Sequence, residues 1–403
     1  MLTAIYTSMS GMTAFETGLT LIGNNVANLN TPGFKGTEPV FSDVAAQQDA
    51  GALPGSPGSP SPGGGVTVNS QNASFAQGQL EQTGNPLDAG IQGEGFFVLQ
   101  QNGSYQYTRA GQFQIDSNGD LVSTGTHAHV MVSTAASAIG PFNINSYLSY
   151  APQATQNVYL TGNLAATGQT GPYTLPGITV NDGSGGTETL SATFTQSASN
   201  PQQWSVTVND AGNHAVGSGT VTFGSNGTPT DTPAQIQVTV TPANQSAFTV
   251  DLNLGSAGSF SGVTSIANNA ASQVQVRAQD GVAMGVLTQT SFDSRGNITL
   301  TYSNSKTLTP AKLVLAQFQA PQQLHALGNG LYATVGDTQP VLGSALTTSF
   351  GSISDGELEM SNVDLTKQLT QLILLQRGYQ ASSQITSVAN DMMQQLLTMA
   401  AQR

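Results

Sequence analysis

The sequence predicts a mainly β protein with an α-helix at each end of the chain. Charged residues make up only 8% of the chain, so its polar half consists of Ser, Thr, Asn, Gln and 46 glycines, a composition that favours strands and turns. In the middle, short alternating or apolar segments are separated by Asn-Gly turns. Both ends instead carry apolar residues at intervals of three and four, the spacing of an amphipathic helix.

The charge and cysteine content argue against several classes of function. The net charge is −13 with nine Lys and Arg in total, and no basic cluster could follow a phosphate backbone, so we expect no nucleic-acid partner. With no cysteine, disulfides, thiolate metal sites and cysteine nucleophiles are all excluded. No apolar run reaches the ~18 residues of a membrane helix, so we expect no membrane insertion. We also expect no cleaved secretory signal, because Lys35 is the first cation.

The N-terminal helix is predicted over residues 2–28, about 40 Å long at ~1.5 Å per residue. The segment Thr31-Pro32-Gly33 then stops it, because proline lacks an amide donor and disfavours helix in the residue before it. We expect its apolar stripe to form part of an assembly interface. The members of the stripe are Leu2, Ile5, Met9, Met12, Leu19, Ile22 and Val26.

The C-terminal helix is predicted over residues 363–400, about 57 Å long. Asn362 or Asp364 can cap its start, and Gly378 is a weak point within it. Its apolar stripe is the second part of the expected assembly interface and consists of Leu365, Leu369, Leu372, Ile373, Tyr379, Ile385, Val388, Met392 and Leu396.

The layout between the helices is nested. We predict a terminal helical domain, coiled-coil-like, from residues 1–30 and 360–403, and a linker or hinge from 31–70 and 346–359. An inner β-domain is predicted from 71–145 and 281–345, and an inserted outer β-domain from 146–280. Within the linker, the Gly/Pro/Ser-rich segment 51–65 predicts a flexible or extended surface loop.

Residues 23–35, GNNVANLNTPGFK, predict a joint between the first helix and the body. Asparagine side chains near a helix end can bond to backbone groups and tolerate left-handed conformations. Proline and glycine stop the helix, and the phenylalanine offers an anchor on the body. The residues assigned to this hinge motif are Asn24, Asn25, Asn28, Pro32, Gly33 and Phe34.

Residues with catalytic or metal-binding chemistry form no recognisable site, so we predict no catalytic residue, cofactor or metal. His127 and His129 would share one strand face, yet no third ligand is visible, and exposed strand histidines are the simpler interpretation. The turn from Asp116 to Asp120 resembles a calcium loop only weakly, because its glycine comes too early and no bidentate glutamate follows. An ordinary Asx turn is the better interpretation.

The motifs at both ends resemble the rod and hook family of bacterial flagellar axial proteins. GNNVANLNTPGFK is similar to the family signature ANxxTxGFK, and SNVDL at 361–365 with QRGYQ at 376–380 is similar to the C-terminal helix of the family. Three further segments resemble its inner β-domain: GFFVLQ at 95–100, YTRAGQF at 107–113 and LVLAQFQAPQQLHALGNGLY at 313–332. The region 146–280 matches little beyond composition.

This resemblance implies a structural, non-enzymatic subunit of a helical homopolymer. The polymer would be a hollow flexible tube that acts as a universal joint between the basal-body rod and the filament. Its location would be extracellular, in the flagellar hook and basal body. The implied partners, besides further copies of the chain, are the distal rod protein, the hook cap protein, the hook–filament junction proteins and the flagellar type III export apparatus.

Two alternatives stay open on the sequence. The insertion at 146–280 favours a hook subunit over the shorter rod subunits, but the stretch 37–65 resembles in position an extra segment of the distal rod protein. A secreted β-rich glycan-binding protein or enzyme would belong to a different class. That class needs aromatic residues for sugar stacking, and Trp204 is the one tryptophan.

Overall fold

The structure is a computed structural model that describes residues 2–44, 64–134, 138–168, 171–242, 245–267, 270–336, 338–347 and 350–401. The chain forms two compact units. The first unit comprises Met1–Asn145, Thr290–Thr299 and Leu308–Arg403, and the second comprises Ser146–Gln289 and Leu300–Thr307. The four-part domain division made from the sequence stays a prediction.

An α-helix lies at each end of the chain, as predicted. Helix α1 spans Leu2–Ala27 and helix α2 spans Leu365–Ala401. Asp364 caps α2, because its Oδ1 accepts hydrogen bonds from the backbone N–H groups of Thr366 at 2.8 Å and Lys367 at 3.2 Å. In the described part of the chain, neither helix combines the length and the apolar character that a bilayer crossing requires.

Most of the remaining structure is β, which confirms the predicted fold class. The strands up to residue 209 are β1 (Thr37–Asp43), β2 (Val66–Ala73), β3 (Leu80–Gln82), β4 (Ala89–Gln92), β5 (Phe96–Gln101), β6 (Ser104–Thr108), β7 (Phe113–Ile115), β8 (Leu121–Ser123), β9 (His129–Thr134), β10 (Ile139–Pro141), β11 (Ser149–Tyr150), β12 (Asn157–Asn163), β13 (Tyr173–Asn181), β14 (Thr187–Gln196) and β15 (Gln203–Asn209). The later strands are β16 (Ala215–Thr222), β17 (Ala234–Val240), β18 (Phe248–Gly255), β19 (Val263–Thr264), β20 (Gln273–Gln279), β21 (Gly285–Phe292), β22 (Asn297–Tyr302), β23 (Thr307–Leu313), β24 (Leu315–Gln317), β25 (His325–Gly328), β26 (Leu331–Ala333), β27 (Val341–Gly343), β28 (Ser352–Asp355) and β29 (Glu357–Glu359).

The β body of the first unit is organised around β5. This strand pairs with β6, β9 and β24, and β6 continues through β26 to β25. Side chains of these strands build an aromatic-rich core in which Phe96, Phe318 and Tyr332 are buried and Phe75 packs against them. Two short pairings, β28 with β4 and β29 with β3, bring the segment before α2 onto this body.

The second unit contains two sheets, one antiparallel and one mixed, around one hydrophobic core. One sheet has the order β13-β14-β15-β16, and the other has the order β17-β18-β12-β19 with β20 paired to β12. Alternate residues of the facing strands point inwards, as the burial of Trp204, Val206 and Val208 in β15 shows. The inserted β region therefore encloses a substantial core.

A β-hairpin lies against α1 within the segment predicted as linker. Strands β1 and β2 pair antiparallel, from Thr37 opposite Ala73 to Asp43 opposite Val66. The Phe41 ring lies 6.0 Å from the Phe15 ring of α1, and Ser10 of α1 accepts the backbone N–H of Val66. Residues 51–63 of the predicted Gly/Pro/Ser loop lie outside the described residues.

Candidate assembly interface and joint

The two terminal helices pair with each other in antiparallel orientation. Asn25 donates to the Gln368 side chain at 3.0 Å, and the next layers place Gly18 against Leu375 and Gly11 against Ser382. The α1 members of these layers recur every seven residues, and so do their α2 partners. A repeat of seven is the spacing of a coiled coil, which is the arrangement that the fold prediction named.

Small residues let the helix axes approach closely. Between the seven-residue layers, the Phe15 ring occupies the space above Gly378, where an added Cβ would come within 2.7 Å of the ring. Ser8 and Thr386 share a hydrogen bond of 2.8 Å between their hydroxyl groups. Helix α2 continues through Gly378, which was predicted as a weak point on helix propensity, and its missing side chain makes room for Phe15.

The predicted stripe of α1 only partly coincides with the face that is covered. Ile22 is 1% exposed, Met9 is 53% exposed, and the side chain of Leu2 lies outside the described residues. The other members are half-buried: Ile5, Met12, Leu19 and Val26. The covered face also contains small or polar residues that an apolar pattern does not detect: Ser8, Gly11, Ala14, Gly18 and Asn25.

The predicted stripe of α2 is mainly exposed in the single chain. Gln368, Leu375 and Ala389 of α2 are buried, the first two of them against α1, and none of the three was in the predicted stripe. Leu372 is half-buried. The exposed members of the stripe are Leu365, Leu369, Ile373, Tyr379, Ile385, Val388, Met392 and Leu396, at 36 to 59%. A long helix thus carries large apolar side chains in contact with solvent.

The asparagine-rich joint begins where α1 ends. Asn28 donates its amide to the backbone oxygen of Asn24 at 3.0 Å, and Asn25 donates to the backbone oxygen of Thr37 at 2.9 Å while accepting the Thr37 N–H at 3.0 Å. The predicted bonding of asparagine side chains to backbone groups is therefore present. The asparagines do not use left-handed conformations in this segment; only Gly33 does, with φ +71°.

Gly33 is required because two backbones meet there. Its N–H donates to the backbone oxygen of Glu359 at 2.7 Å, and a Cβ on Gly33 would come within 2.4 Å of the backbone nitrogen of Ala110. Only glycine adopts a positive φ at little cost and also lacks the Cβ that would clash with the Ala110 backbone. Pro32 and Phe34 flank it and are both half-buried.

A cluster of buried charges lies beside Gly33. The Glu359 carboxylate accepts from Lys35 Nζ at 2.5 Å and from Arg109 Nη1 at 3.2 Å, and its side chain is 0% exposed. The backbone N–H of Gly78 also donates to this carboxylate at 2.8 Å. Burial lowers the pKa of the Lys35 ammonium from its usual value, although Glu359 acts in the opposite direction. Three distant segments of the chain are joined here.

Asn362 completes the joint from the side of α2. Its Oδ1 accepts the Gly36 N–H at 2.9 Å, and its amide donates to the backbone oxygens of Ser74 at 2.7 Å and Ala76 at 2.9 Å. The joint residues that were missed from the sequence are Lys35, Arg109, Glu359 and Asn362. A usable signal existed, because Lys35 and Arg109 are two of only nine cations and both stand inside the recognised motifs.

The histidines, the acidic turn and the tryptophan form no second site in the part of the chain that the structure describes. His127 precedes β9 with φ +56°, so the expectation that it shares a strand face with His129 was wrong. Asp116 forms an Asx turn, with its Oδ1 accepting the N–H groups of Asn118 and Asp120. Trp204 is fully buried and donates to Ser265, so it offers no surface for sugar stacking. Within the described ranges, no three His, Asp or Glu side chains are grouped to hold a metal.

Three family models match parts of this chain. The model described as Flagella basal body rod protein matches residues 5–35, and that described as Flagellar basal body rod FlgEFG protein C-terminal matches residues 354–399. Between them, the Flagellar hook protein FlgE/F/G D1 domain matches residues 90–140. The matched segments contain both halves of the joint and most of the helical pair.

Full-length relatives are flagellar hook proteins named FlgE. The protein from Treponema pallidum (strain Nichols) is 31% identical over 99% of this chain and 100% of its own length. That from Escherichia coli (strain K12) is 29% identical over 97% of this chain and 98% of its own. The crystal structure of Helicobacter pylori flagellar hook protein FlgE2 superimposes with a TM-score of 0.49 at 14% identity, covering 70% of this chain and 100% of that one.

Proposed function

Because this chain belongs to the flagellar hook protein family and is a structural subunit of the bacterial hook, we propose that it polymerises through its terminal helices into a hollow, flexible tube. The tube would transmit torque as a universal joint between the basal-body rod and the filament. The observation that carries this proposal is the run of exposed apolar side chains along α2.

The energetics of these side chains favour burial between copies. Full burial of one large apolar side chain contributes ~1.5–3 kcal/mol before ordering costs, and α2 offers a whole series of them. In the single chain, only one face of α2 is covered by α1. Further copies of the chain are the partners that would cover the rest.

The joint gives each subunit a firm connection between helices and body. Both helices enter the β body through the cluster of Lys35, Arg109 and Glu359, and the two chain segments are also linked directly through Gly33 and Asn362. Bending of the tube would therefore be absorbed by contacts between subunits. Polar, lightly charged β surfaces suit that role, because wet contacts of low complementarity carry little energy each.

Family membership supports the remaining partners and the location that we propose. We propose that the ends of the tube meet the distal rod protein, the hook cap protein and the hook–filament junction proteins. The chain would be exported by the flagellar type III apparatus and would act outside the cell. We assign it no enzymatic activity.

Deletion of either helix tests the proposal. Chains lacking residues 1–28 or 363–403 should remain soluble and keep their β circular dichroism signal, yet fail to form tubes under conditions in which the intact chain does. Sedimentation and negative-stain electron microscopy would measure this. Tubes of normal diameter formed by either truncated chain would contradict the assigned role of the helices.

A further inference from the structure

We propose that the outer face of the second unit binds an acidic oligosaccharide, with the carboxylate of one sugar residue at Arg277 and a neutral sugar residue beside Phe260. This inference goes beyond the proposed function and does not depend on tube formation. It rests on two neighbouring clefts, on an arginine that no described carboxylate contacts, and on the two exposed aromatic side chains of this unit.

Two clefts follow each other along the outer face of β12. The first has a volume of about 300 Å³ and is lined by Tyr159 of β12 and Arg277 of β20, and the second has about 410 Å³ and is lined by Thr161 of β12 and Phe260. Gly262 borders both clefts. Tyr159 and Thr161 are two residues apart in one strand, so they share a face and lie roughly 7 Å apart along it. A ligand longer than one sugar ring can therefore reach from the first cleft to the second.

Arg277 carries a positive charge that is not neutralised by any carboxylate in the described ranges. No Asp or Glu oxygen of these ranges lies within 4.0 Å of its guanidinium. Its Nη1 donates to the backbone oxygen of Ser261 at 3.5 Å, and its Cζ lies 5.8 Å from the centre of the Tyr159 ring. These contacts hold the guanidinium at the first cleft and leave most of its N–H donors unused. A carboxylate is the complementary group, because it accepts two parallel hydrogen bonds from a guanidinium.

The charge pattern favours a ligand with a single acid group over a densely charged polymer. The net charge of the chain is −13, and Arg277 is the only Lys or Arg between Arg109 and Arg295. Among the described residues, no second cation lines either cleft. A polyanion is bound by several cations together. One guanidinium instead suits one carboxylate flanked by neutral groups.

The other side chains at the clefts suit a sugar. Of the aromatic side chains described in the second unit, only Tyr159, at 38%, and Phe260, at 63%, are exposed. Asn253 lines the first cleft and donates its amide to Asn157 Oδ1 at 3.1 Å, while its own Oδ1 accepts no hydrogen bond from the described residues. Ligand sites combine apolar and aromatic walls with a few polar groups in this way. An acidic sugar offers a carboxylate, an apolar ring face and hydroxyl groups together.

Titration calorimetry on the full chain tests the inference. The probe is cellobiouronic acid, a disaccharide of one glucuronate and one glucose, and its uncharged counterpart is cellobiose. We expect the acid to bind at least about tenfold more tightly than cellobiose, a difference of about 1.4 kcal/mol. Equal binding of the two disaccharides, or binding of neither, would overturn the inference.

Matched substitutions locate the site. Arg277→Gln should weaken binding of the acid about tenfold, whereas Arg295→Gln, which removes the same charge outside both clefts, should bind like the parent chain. Phe260→Ser should cause a smaller loss of about threefold, because an apolar ring contact contributes less than a charged hydrogen bond. All three side chains are exposed, so each variant should fold like the parent, as circular dichroism would verify. Equal losses in the two arginine variants, or unchanged binding in Phe260→Ser, would contradict the assigned site.

A peptide probe separates a sugar ligand from an acidic protein segment. A blocked glutamyl-serine peptide carries the same single charge as the disaccharide but no sugar ring, and we expect it not to displace the disaccharide at equal concentration. Displacement would assign the clefts to an acidic segment of a protein and overturn the inference. The proposed function would stand in that case, because tube formation is measured separately by electron microscopy.

Discussion

At the scale of single residues, Glu359 is the central group of the joint. Its carboxylate faces two cations, Lys35 and Arg109, whose side chains are 0% and 2% exposed, and its backbone oxygen accepts the Gly33 N–H. Buried charges are tolerated only when they are paired and hydrogen-bonded. This carboxylate is therefore one of the groups that hold both helices on the body.

Replacing Glu359 with Gln should destabilise the first unit by about 3–5 kcal/mol, because two buried cations lose their counter-charge. Glu38→Gln is the matched control: it breaks the exposed ion pair with Lys367 and should cost no more than ~1 kcal/mol. Urea unfolding followed by far-UV circular dichroism measures the helices, and fluorescence of Trp204 reports the second unit. Equal effects of the two substitutions would contradict the assigned role of Glu359.

The joint should also make stability depend on pH. The pKa of Lys35 is lowered in the folded chain by burial, so the unfolded chain binds this proton more tightly. The contribution of Lys35 to stability should therefore rise with pH between its lowered pKa and the usual value of 10.5. In Glu359→Gln this rise should begin at lower pH, since the group that opposes the shift is gone. Urea midpoints measured from neutral to alkaline pH would reveal the difference, and parallel curves would contradict it.

At the scale of elements, the helix pair is held by complementary sizes as well as by apolar area. The α1 face that meets α2 includes glycine and serine, and the bulky partner alternates between the helices: Leu375 fills the space at Gly18, and Phe15 fills that at Gly378. Such packing fixes the register, because a shift of one turn would oppose large residues to each other.

Gly378→Ala should weaken the helix pair even though alanine favours an isolated helix by about 1 kcal/mol over glycine. The added methyl group would come within 2.7 Å of the Phe15 ring and force the helices apart. The matched control is Gly23→Ala in α1, where nothing lies within 4 Å, so that this change should stabilise the chain. Thermal unfolding of the helical signal should move down for the first variant and up for the second. A rise for both would show that the close contact carries no cost.

At the scale of the whole molecule, the chain divides its tasks between two units. The first contains the helices, the joint and the segments matched by the family models. The second is a β structure with its own core, and its chain enters and leaves side by side, since Tyr150 of β11 pairs with Gly285 of β21. Removal of the intervening segment is therefore sterically simple.

Replacing residues 151–284 with an Asn-Gly turn should leave a chain that still forms tubes, because the helices and joint are untouched. Those tubes should be straighter and stiffer than tubes of the full chain, since the polar surfaces that slide past each other would be absent. Cryo-electron microscopy of curvature and persistence length measures this. Unchanged curvature would count against the sliding of the outer β surfaces.

The patterns from which the elements were predicted involve residues close to one another along the chain. Helical periodicity located both helices to within two residues at each end, whereas the role of the hinge motif around Pro32 and Gly33 stays a prediction. The apolar stripe of α2 was also identified, but its contacts were not. Apolar periodicity predicts which residues become buried, but it does not show whether they are buried within the same chain or against another.

By itself, the sequence determined the fold class and the positions of the helices, because spacing and turn chemistry act between residues close along the chain, and its motifs indicated the family by resemblance. Only the tertiary structure decided which residues meet. Glu359 is far along the chain from Lys35, and Gly378 is far along the chain from Phe15. Neither pair can therefore be recognised from a periodic pattern in the sequence. The face of α1 that is covered by α2 is built partly from glycine, serine and asparagine, which are selected by size and hydrogen bonding and are invisible to a search for apolar residues.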